Sequence, residues 1–167
     1  MTGWSRRELL RAAAQLAAWA ALPAAASPPA APPTELLPPD ALDTLLHTLL
    51  PSSPGSPGAR DVNAAGFLRR LGDPELLGPR FDERLAGGLR ALDQLATQRS
   101  GVPFARADYA ARIAVLEEYA AAPEGAAWLE PLLVTTLEAF FSAPRWGGNP
   151  GGIAWAWAGA RPPPTAP

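Results

Sequence analysis

The sequence contains no cysteine and no lysine, and it has a single histidine. Without cysteine the chain offers no thiol nucleophile, no disulfide framework, no thiolate ligands for an iron–sulfur cluster and no attachment site for a covalent haem. His47 and Asp43 lie four residues apart, and a solvated surface pair is favoured over an acid/base or ligand pair, because a metal site needs three or four converging ligands. Any redox cofactor is therefore expected on a partner.

Charge and spacing argue against several further functions. The chain has 14 basic and 16 acidic residues, so it lacks the broad basic face that a nucleic-acid backbone requires, and we expect no nucleic-acid partner. Ser100 and Ser142 have no paired base, and no Gly-x-Ser-x-Gly elbow occurs. The glycines of residues 147–152 follow a helix and lack the Lys-Ser/Thr of a phosphate-binding loop. We predict no catalytic, cofactor-binding or metal-binding residue here, and an independent enzyme is the least favoured interpretation.

Residues 1–26 are typical of an export signal. A moderately apolar run covers residues 12–22, and even the stretch over residues 9–22 is too short to span a bilayer core of ~30 Å. Small residues ending at Ala26 suit a signal peptidase. A twin-arginine block at Arg6 and Arg7 precedes this run. With it the stretch resembles a Tat signal peptide, which implies a periplasmic location and transient contact with the Tat translocase. The alternative is an ordinary amphipathic helix with two chance arginines. The residues that carry the resemblance are Ser5, Arg6, Arg7, Leu9, Leu10 and Arg11.

The remainder of the chain is predicted to form a helical domain over residues 40–159. Proline and alanine dominate residues 27–39, which favours an extended linker with few side chains to bury. Residues 160–167 are predicted to be a disordered tail. No segment shows sustained strand alternation, so we predict an all-α fold: a small irregular bundle of about five helices, ending in a glycine- and tryptophan-rich loop.

Apolar spacing indicates where the five helices lie. The leucines after Asp40 repeat at the spacing of one helix face until Pro51, and residues 52–58 read as a loop. Gly87 and Gly88 interrupt the longest helix, which predicts either a closely packed neighbour or a bend. In the final helix Pro131 is expected in the first turn. The other helices are predicted over residues 61–71, 80–99, 108–121 and 127–142.

The segment after the last helix is costly to order. Four glycines fall within residues 147–152, and glycine loses more backbone freedom on folding than any other residue. Three tryptophans lie beside them, and large aromatic side chains are favoured in protein interfaces, so a partner interface is favoured over a floppy tail. Phe140 is expected in the core, and Asn149 is expected in a turn at positive φ. The predicted interface residues are Phe141, Pro144, Arg145, Trp146, Gly147, Gly148, Asn149, Trp155 and Trp157.

These features resemble the gluconate 2-dehydrogenase subunit 3 family. The specific part is residues 138–149, where Phe-Phe-Ser precedes Pro-Arg-Trp-Gly-Gly-Asn. Trp146 stands where the family usually has tyrosine, and Ala143 stands where an acid is common. The Tat-type leader and the Gly-Phe-Leu of the second helix also match. The resemblance covers roughly residues 40–159 and is strongest at this C-terminal segment.

The resemblance implies a non-catalytic accessory subunit. Members of the family bind a large FAD-dependent subunit of the glucose-methanol-choline oxidoreductase type, often beside a multihaem cytochrome c subunit, and are inferred to support folding and export of the flavoprotein. FAD and haem c would then belong to the partners, and the complex could be membrane-associated. The alternative is a free-standing periplasmic binding or structural protein, tethered by an uncleaved leader. A neighbouring gene for a flavin oxidoreductase without its own signal would argue against that alternative.

Overall fold

The computed structural model describes residues 40–160, so the predicted signal peptide, the predicted linker and the predicted tail beyond residue 160 lie outside the described residues. The described chain forms helices and no β-strand, which confirms the all-α prediction. Within this range no helix is both long and apolar enough to cross a membrane. The α-helices are α1 (Ala41–Leu49), α2 (Ala64–Leu71), α3 (Pro79–Ser100), α4 (Tyr109–Ala121), α5 (Pro123–Phe141) and α6 (Ile153–Trp157); short 3-10 turns span Phe104–Arg106, Pro144–Trp146 and Pro150–Gly152.

The two longest helices enclose α4 and provide much of the core. Helix α4 packs against both α3 and α5, and α5 also contacts α2 and α6. Helix α1 covers α2, α4 and the first 3-10 turn. Large side chains from five different segments are almost completely buried from solvent, as expected for a single hydrophobic core. They are Leu45, Leu46, Val62, Leu68, Phe81, Leu92 and Leu132.

The paired glycines of α3 accommodate a close neighbour. A Cβ at Gly88 would overlap the indole ring of Trp128, which comes from α5. The same indole donates a hydrogen bond from Nε1 to the carbonyl oxygen of Arg84, at 3.0 Å. Gly87 faces open space. Of the two explanations that the sequence left open, close packing therefore accounts for Gly88.

Helix α5 begins earlier than predicted. Pro123 occupies its first turn, where a missing N–H costs nothing, so the helix starts four residues before the predicted start at 127. Pro131 consequently lies inside the helix, and the prediction that it falls in the first turn is wrong. An interior proline costs about 3 kcal/mol. Burial of Trp128, Leu129 and Leu132 around it offsets that cost.

The predicted surface pair of His47 and Asp43 does not form. Asp43 Oδ2 instead accepts a hydrogen bond at 2.7 Å from Nε of Arg60, which lies beyond the loop of residues 52–58. His47 is half-buried, and its Nδ1 has no hydrogen-bond partner among the described residues. Asp43 and His47 lie four residues apart on α1, as the spacing predicts. The carboxylate of Asp43, however, forms its ion pair with Arg60, which is distant in sequence. Within residues 40–160 no group of three or more His, Cys, Asp or Glu side chains could hold a metal ion.

The contact between Gly88 and Trp128 yields a paired test. We expect Gly88→Ala to lower the free energy of unfolding by about 1–3 kcal/mol, because the added methyl overpacks the helix interface. Gly87→Ala should raise it by about 0.4–1 kcal/mol, because that position is open and alanine favours the helix. Urea unfolding followed by circular dichroism measures both values. Equal effects at the two positions would contradict the close-packing explanation.

Candidate partner-binding surface

The loop between α5 and α6 needs an unusual backbone. Helix α5 ends at Phe141, and a 3-10 turn over Pro144–Trp146 leads into the glycines. Positive φ angles follow at Gly147 (92°), Asn149 (50°), Gly151 (63°) and Gly152 (73°). Residues that have a Cβ rarely adopt a positive φ, and asparagine tolerates it best after glycine. The backbone conformation of the loop therefore explains why glycine and asparagine occupy these positions. The prediction that Asn149 has a positive φ is confirmed.

Asn149 connects three separate parts of the domain from a position with no exposure to solvent. Its Oδ1 accepts a hydrogen bond from the backbone N–H of Ala154 in α6, at 2.8 Å. Its Nδ2 donates to the carbonyl oxygen of Ser142 at the end of α5, at 3.3 Å. Its own backbone N–H donates to the carbonyl oxygen of Val62, at 2.8 Å. One side chain thus fixes where α6 begins relative to α5.

A second asparagine, Asn63, completes the attachment and was missed by sequence reasoning. It immediately precedes α2 with a φ of 52°, and its Nδ2 donates to the carbonyl oxygen of Gly147 at 2.7 Å. The two bonds, from Asn63 to Gly147 and from Asn149 to Val62, join the start of α2 to the glycine loop. The prediction of a helix over residues 61–71 places Asn63 inside the helix, whereas α2 begins at Ala64 and Asn63 precedes it. The available signal was an asparagine directly before a run of helix formers, a position that favours caps and turns.

Several predicted interface residues face their own chain. Gly148 is buried, and a Cβ there would lie 2.7 Å from the carbonyl oxygen of Ala139. Trp155 is 9% exposed and donates from Nε1 to the carbonyl oxygen of Phe141, at 3.2 Å. It also lies on helix α6, whereas the sequence placed it outside regular structure. Gly148, Asn149 and Trp155 therefore shape the loop from inside, and none of them is open to a partner in this structure.

Other predicted interface residues are open to solvent. Phe141 is 52% exposed, Trp157 50% and Trp146 41%, with Pro144 and Arg145 exposed beside them. Leu137 lies one turn before Phe141, and Ile153 one turn before Trp157. Of the eight large apolar side chains that are exposed among residues 40–160, five come from this region. We name this set the C-terminal apolar surface: Leu137, Phe141, Trp146, Ile153 and Trp157.

Two arginines flank the exposed Trp146. The guanidinium carbon of Arg145 lies 5.5 Å from the centre of the indole ring, and that of Arg70, on α2, lies 5.9 Å from it. Both distances are within the range of cation–π attraction. A Cβ at Gly147 would lie 3.8 Å from Cδ of Arg70, so the arginine stem runs beside the glycine loop. The surface therefore combines apolar area with positive charge.

One carboxyl group lies within the same stretch of α5. Glu138 follows Leu137 directly and is half-buried, and this burial raises the pKa of Glu138 to about 7. Desolvation disfavours the charged form of a carboxyl group. Among the described residues no salt bridge to Glu138 compensates for the cost of burying its charged form.

Fold and surface together define a small all-α domain that exposes aromatic side chains in its C-terminal region. The family described as gluconate 2-dehydrogenase subunit 3 matches residues 40–162, which is more than half of the chain. The protein belongs to this family, and the resemblance found at residues 138–149 is confirmed. The description names a subunit, so the family is part of a multi-subunit dehydrogenase. No curated protein and no solved structure matches the chain significantly.

The role of Asn149 can be tested by separating its side chain from its backbone. We expect Asn149→Ala to lower the free energy of unfolding by about 2–4 kcal/mol, because buried partners lose their bonds and alanine resists positive φ. Asn149→Gly should lower the free energy of unfolding by less, since it removes the same side-chain hydrogen bonds but glycine adopts a positive φ without strain. The Trp155 indole N–H resonance in a ¹⁵N NMR spectrum reports whether α6 stays attached. An unchanged indole resonance in both variants would contradict the role given to Asn149.

Glu138 predicts a pH dependence of stability. Its pKa in the folded state lies above the ordinary value, so its stabilising contribution is complete below about pH 4.5 and is lost as pH rises through about 7. Glu138→Gln stays neutral and should be more stable than the natural protein at pH 8 by about 1 kcal/mol, discounted for partial exposure. The difference should vanish near pH 4. Glu130→Gln, exposed on the same helix, is the matched control, and thermal unfolding between pH 4 and 8 measures both.

Proposed function

We propose that this protein is a non-catalytic small subunit that binds the FAD-containing large subunit of a gluconate 2-dehydrogenase-type oxidoreductase. In this proposal it helps the large subunit to fold and remains bound to it. Membership of the subunit 3 family supports the assignment to a dehydrogenase complex. FAD belongs to the large subunit, and haem c belongs to a cytochrome subunit where one is present.

The observation that carries the proposal is the concentration of exposed apolar side chains on the C-terminal apolar surface. Large exposed apolar patches on small soluble domains mark interaction sites, and tryptophan and arginine are enriched where binding energy is concentrated. Phe141, Trp146 and Trp157 are the proposed contact residues. The position of Trp157 depends on the buried bonds of Asn149, which attach α6 to the end of α5, so the glycine loop serves binding indirectly by holding this side chain in place.

Export is the second half of the proposed function. The twin-arginine block at Arg6 and Arg7 supports passage through the Tat pathway to the periplasm. That pathway moves proteins already folded, so a large subunit without a signal of its own could be carried by this one. The flavoprotein would then acquire FAD before it crosses the membrane, in association with this chain.

Co-expression tests both halves in one experiment. The chain is expressed in a Tat-competent host with an FAD-dependent glucose-methanol-choline-type dehydrogenase subunit from the same genome. We expect dehydrogenase activity in the periplasm, loss of that activity with Arg6→Lys/Arg7→Lys, and at least a tenfold fall with Phe141→Ser/Trp157→Ser. The second loss follows because interface aromatic residues contribute about 2 kcal/mol or more each.

Control variants separate binding from folding. Val102→Ser/Tyr109→Ser changes two exposed apolar residues outside the C-terminal apolar surface and should leave periplasmic activity unchanged. Circular dichroism establishes whether each variant folds. Activity that is independent of this chain would refute the escort role and favour the free-standing binding protein. Activity that survives Phe141→Ser/Trp157→Ser would place the interface elsewhere on the domain.

A further inference from the structure

The C-terminal apolar surface carries positive charge that the described domain does not neutralise. Arg70 and Arg145 belong to different segments, α2 and the 3-10 turn after α5, yet both guanidinium groups lie within 6 Å of the Trp146 ring centre. Their approach depends on the bond from Asn63 to Gly147, which joins the two segments. The chain as a whole has a formal charge of −2, so paired positive charge beside apolar area is a local feature.

Neither arginine forms an ion pair within residues 40–160. Salt bridges in this range join Arg60 to Asp43 and Arg99 to Glu118, which shows that other arginines of the domain are matched by carboxylates. Arg70 and Arg145 contact an aromatic ring instead. Stacking against a ring engages the face of a guanidinium and leaves its N–H donors free at the edge for a carboxylate.

We propose that this surface binds a protein segment that presents an Asp or Glu carboxylate to Arg70 and Arg145, next to apolar side chains that pack on Trp146, Phe141 and Trp157. The inference rests on the proposed function, in which the large flavoprotein subunit supplies the segment. Charge complementarity carries it, because desolvating two unpaired arginines against an apolar partner would be costly. The carboxylate also gives the contact a fixed orientation, which apolar packing alone does not provide.

Two other occupants fit the surface less well. Recognition of anionic lipid uses clusters of about 4–8 basic residues, whereas two arginines flank this tryptophan and the chain has no lysine. A second copy of the chain related by two-fold symmetry would bring the same arginine pair towards itself, and like charges repel across such an interface. A carboxylate on a different protein meets neither difficulty.

The test measures binding of this chain to the FAD-dependent large subunit by surface plasmon resonance at 50–500 mM NaCl, with the large subunit folded by co-expression with the natural chain and then separated from it. We expect Arg70→Gln/Arg145→Gln to weaken binding at least about tenfold and to flatten its salt dependence, because a charge-assisted contact is lost. Arg70→Glu/Arg145→Glu should weaken binding further, by at least about a hundredfold, through repulsion of the carboxylate. Arg90→Glu/Arg106→Glu reverses two exposed charges on segments that pack near α1 and α4, and should bind like the natural chain.

The outcomes separate this inference from the proposed function. If the natural chain does not bind the large subunit, the proposed function fails. If it binds and the Arg70→Glu/Arg145→Glu variant binds equally well with the same salt dependence, the proposed function stands and the acidic segment is refuted. Flotation with phosphatidylglycerol vesicles and sedimentation of the chain alone test the other occupants. Arginine-dependent vesicle binding or dimerisation, without an effect on the large subunit, would overturn the inference in favour of lipid or a second copy.

Discussion

The arrangement of the C-terminal region depends on a single buried side chain, that of Asn149. Helix α6 has five residues, far too short to be stable in water without tertiary support. Its attachment comes from the bonds of Asn149 to Ala154 and Ser142, together with the bond from Trp155 to Phe141. The exposed positions of Ile153 and Trp157 follow from this attachment, because both lie on the helix that Asn149 holds.

The glycine-rich segment and its neighbours therefore contain two sets of residues, one buried and one exposed, with different roles. Gly148, Asn149 and Trp155 are buried and define the backbone, whereas Phe141, Trp146 and Trp157 are exposed. Ordering four glycines is entropically expensive, and the hydrogen bonds from Asn63 and Asn149 offset that cost. A family motif that looks like a recognition sequence is, in its Gly-Gly-Asn part, the structural support of the residues around it.

The sequence predicted the helices well because leucine spacing reports burial directly, as at Leu45, Leu46 and Leu92. It also predicted the positive φ of Asn149, since few residues tolerate that conformation. It could not predict which tryptophans are exposed, because Trp155 and Trp157 are two residues apart and only the docking of α6 decides between them. The interior position of Pro131 and the pairing of Asn63 with Gly147 were missed for a related reason: tertiary packing outweighs local preference.

The bond between Asn63 and Gly147 spans 84 residues of sequence, which has a consequence for the timing of assembly. Helix α2 emerges from the ribosome long before the glycine loop, and at about 5–20 residues per second the delay is roughly 4–17 s. Until the loop is synthesised, Arg70 has no Trp146 to stack on and α6 does not exist. The exposed aromatic side chains thus reach their final arrangement only after the helices that support them, which shortens the period in which an incomplete chain could present them to the wrong protein.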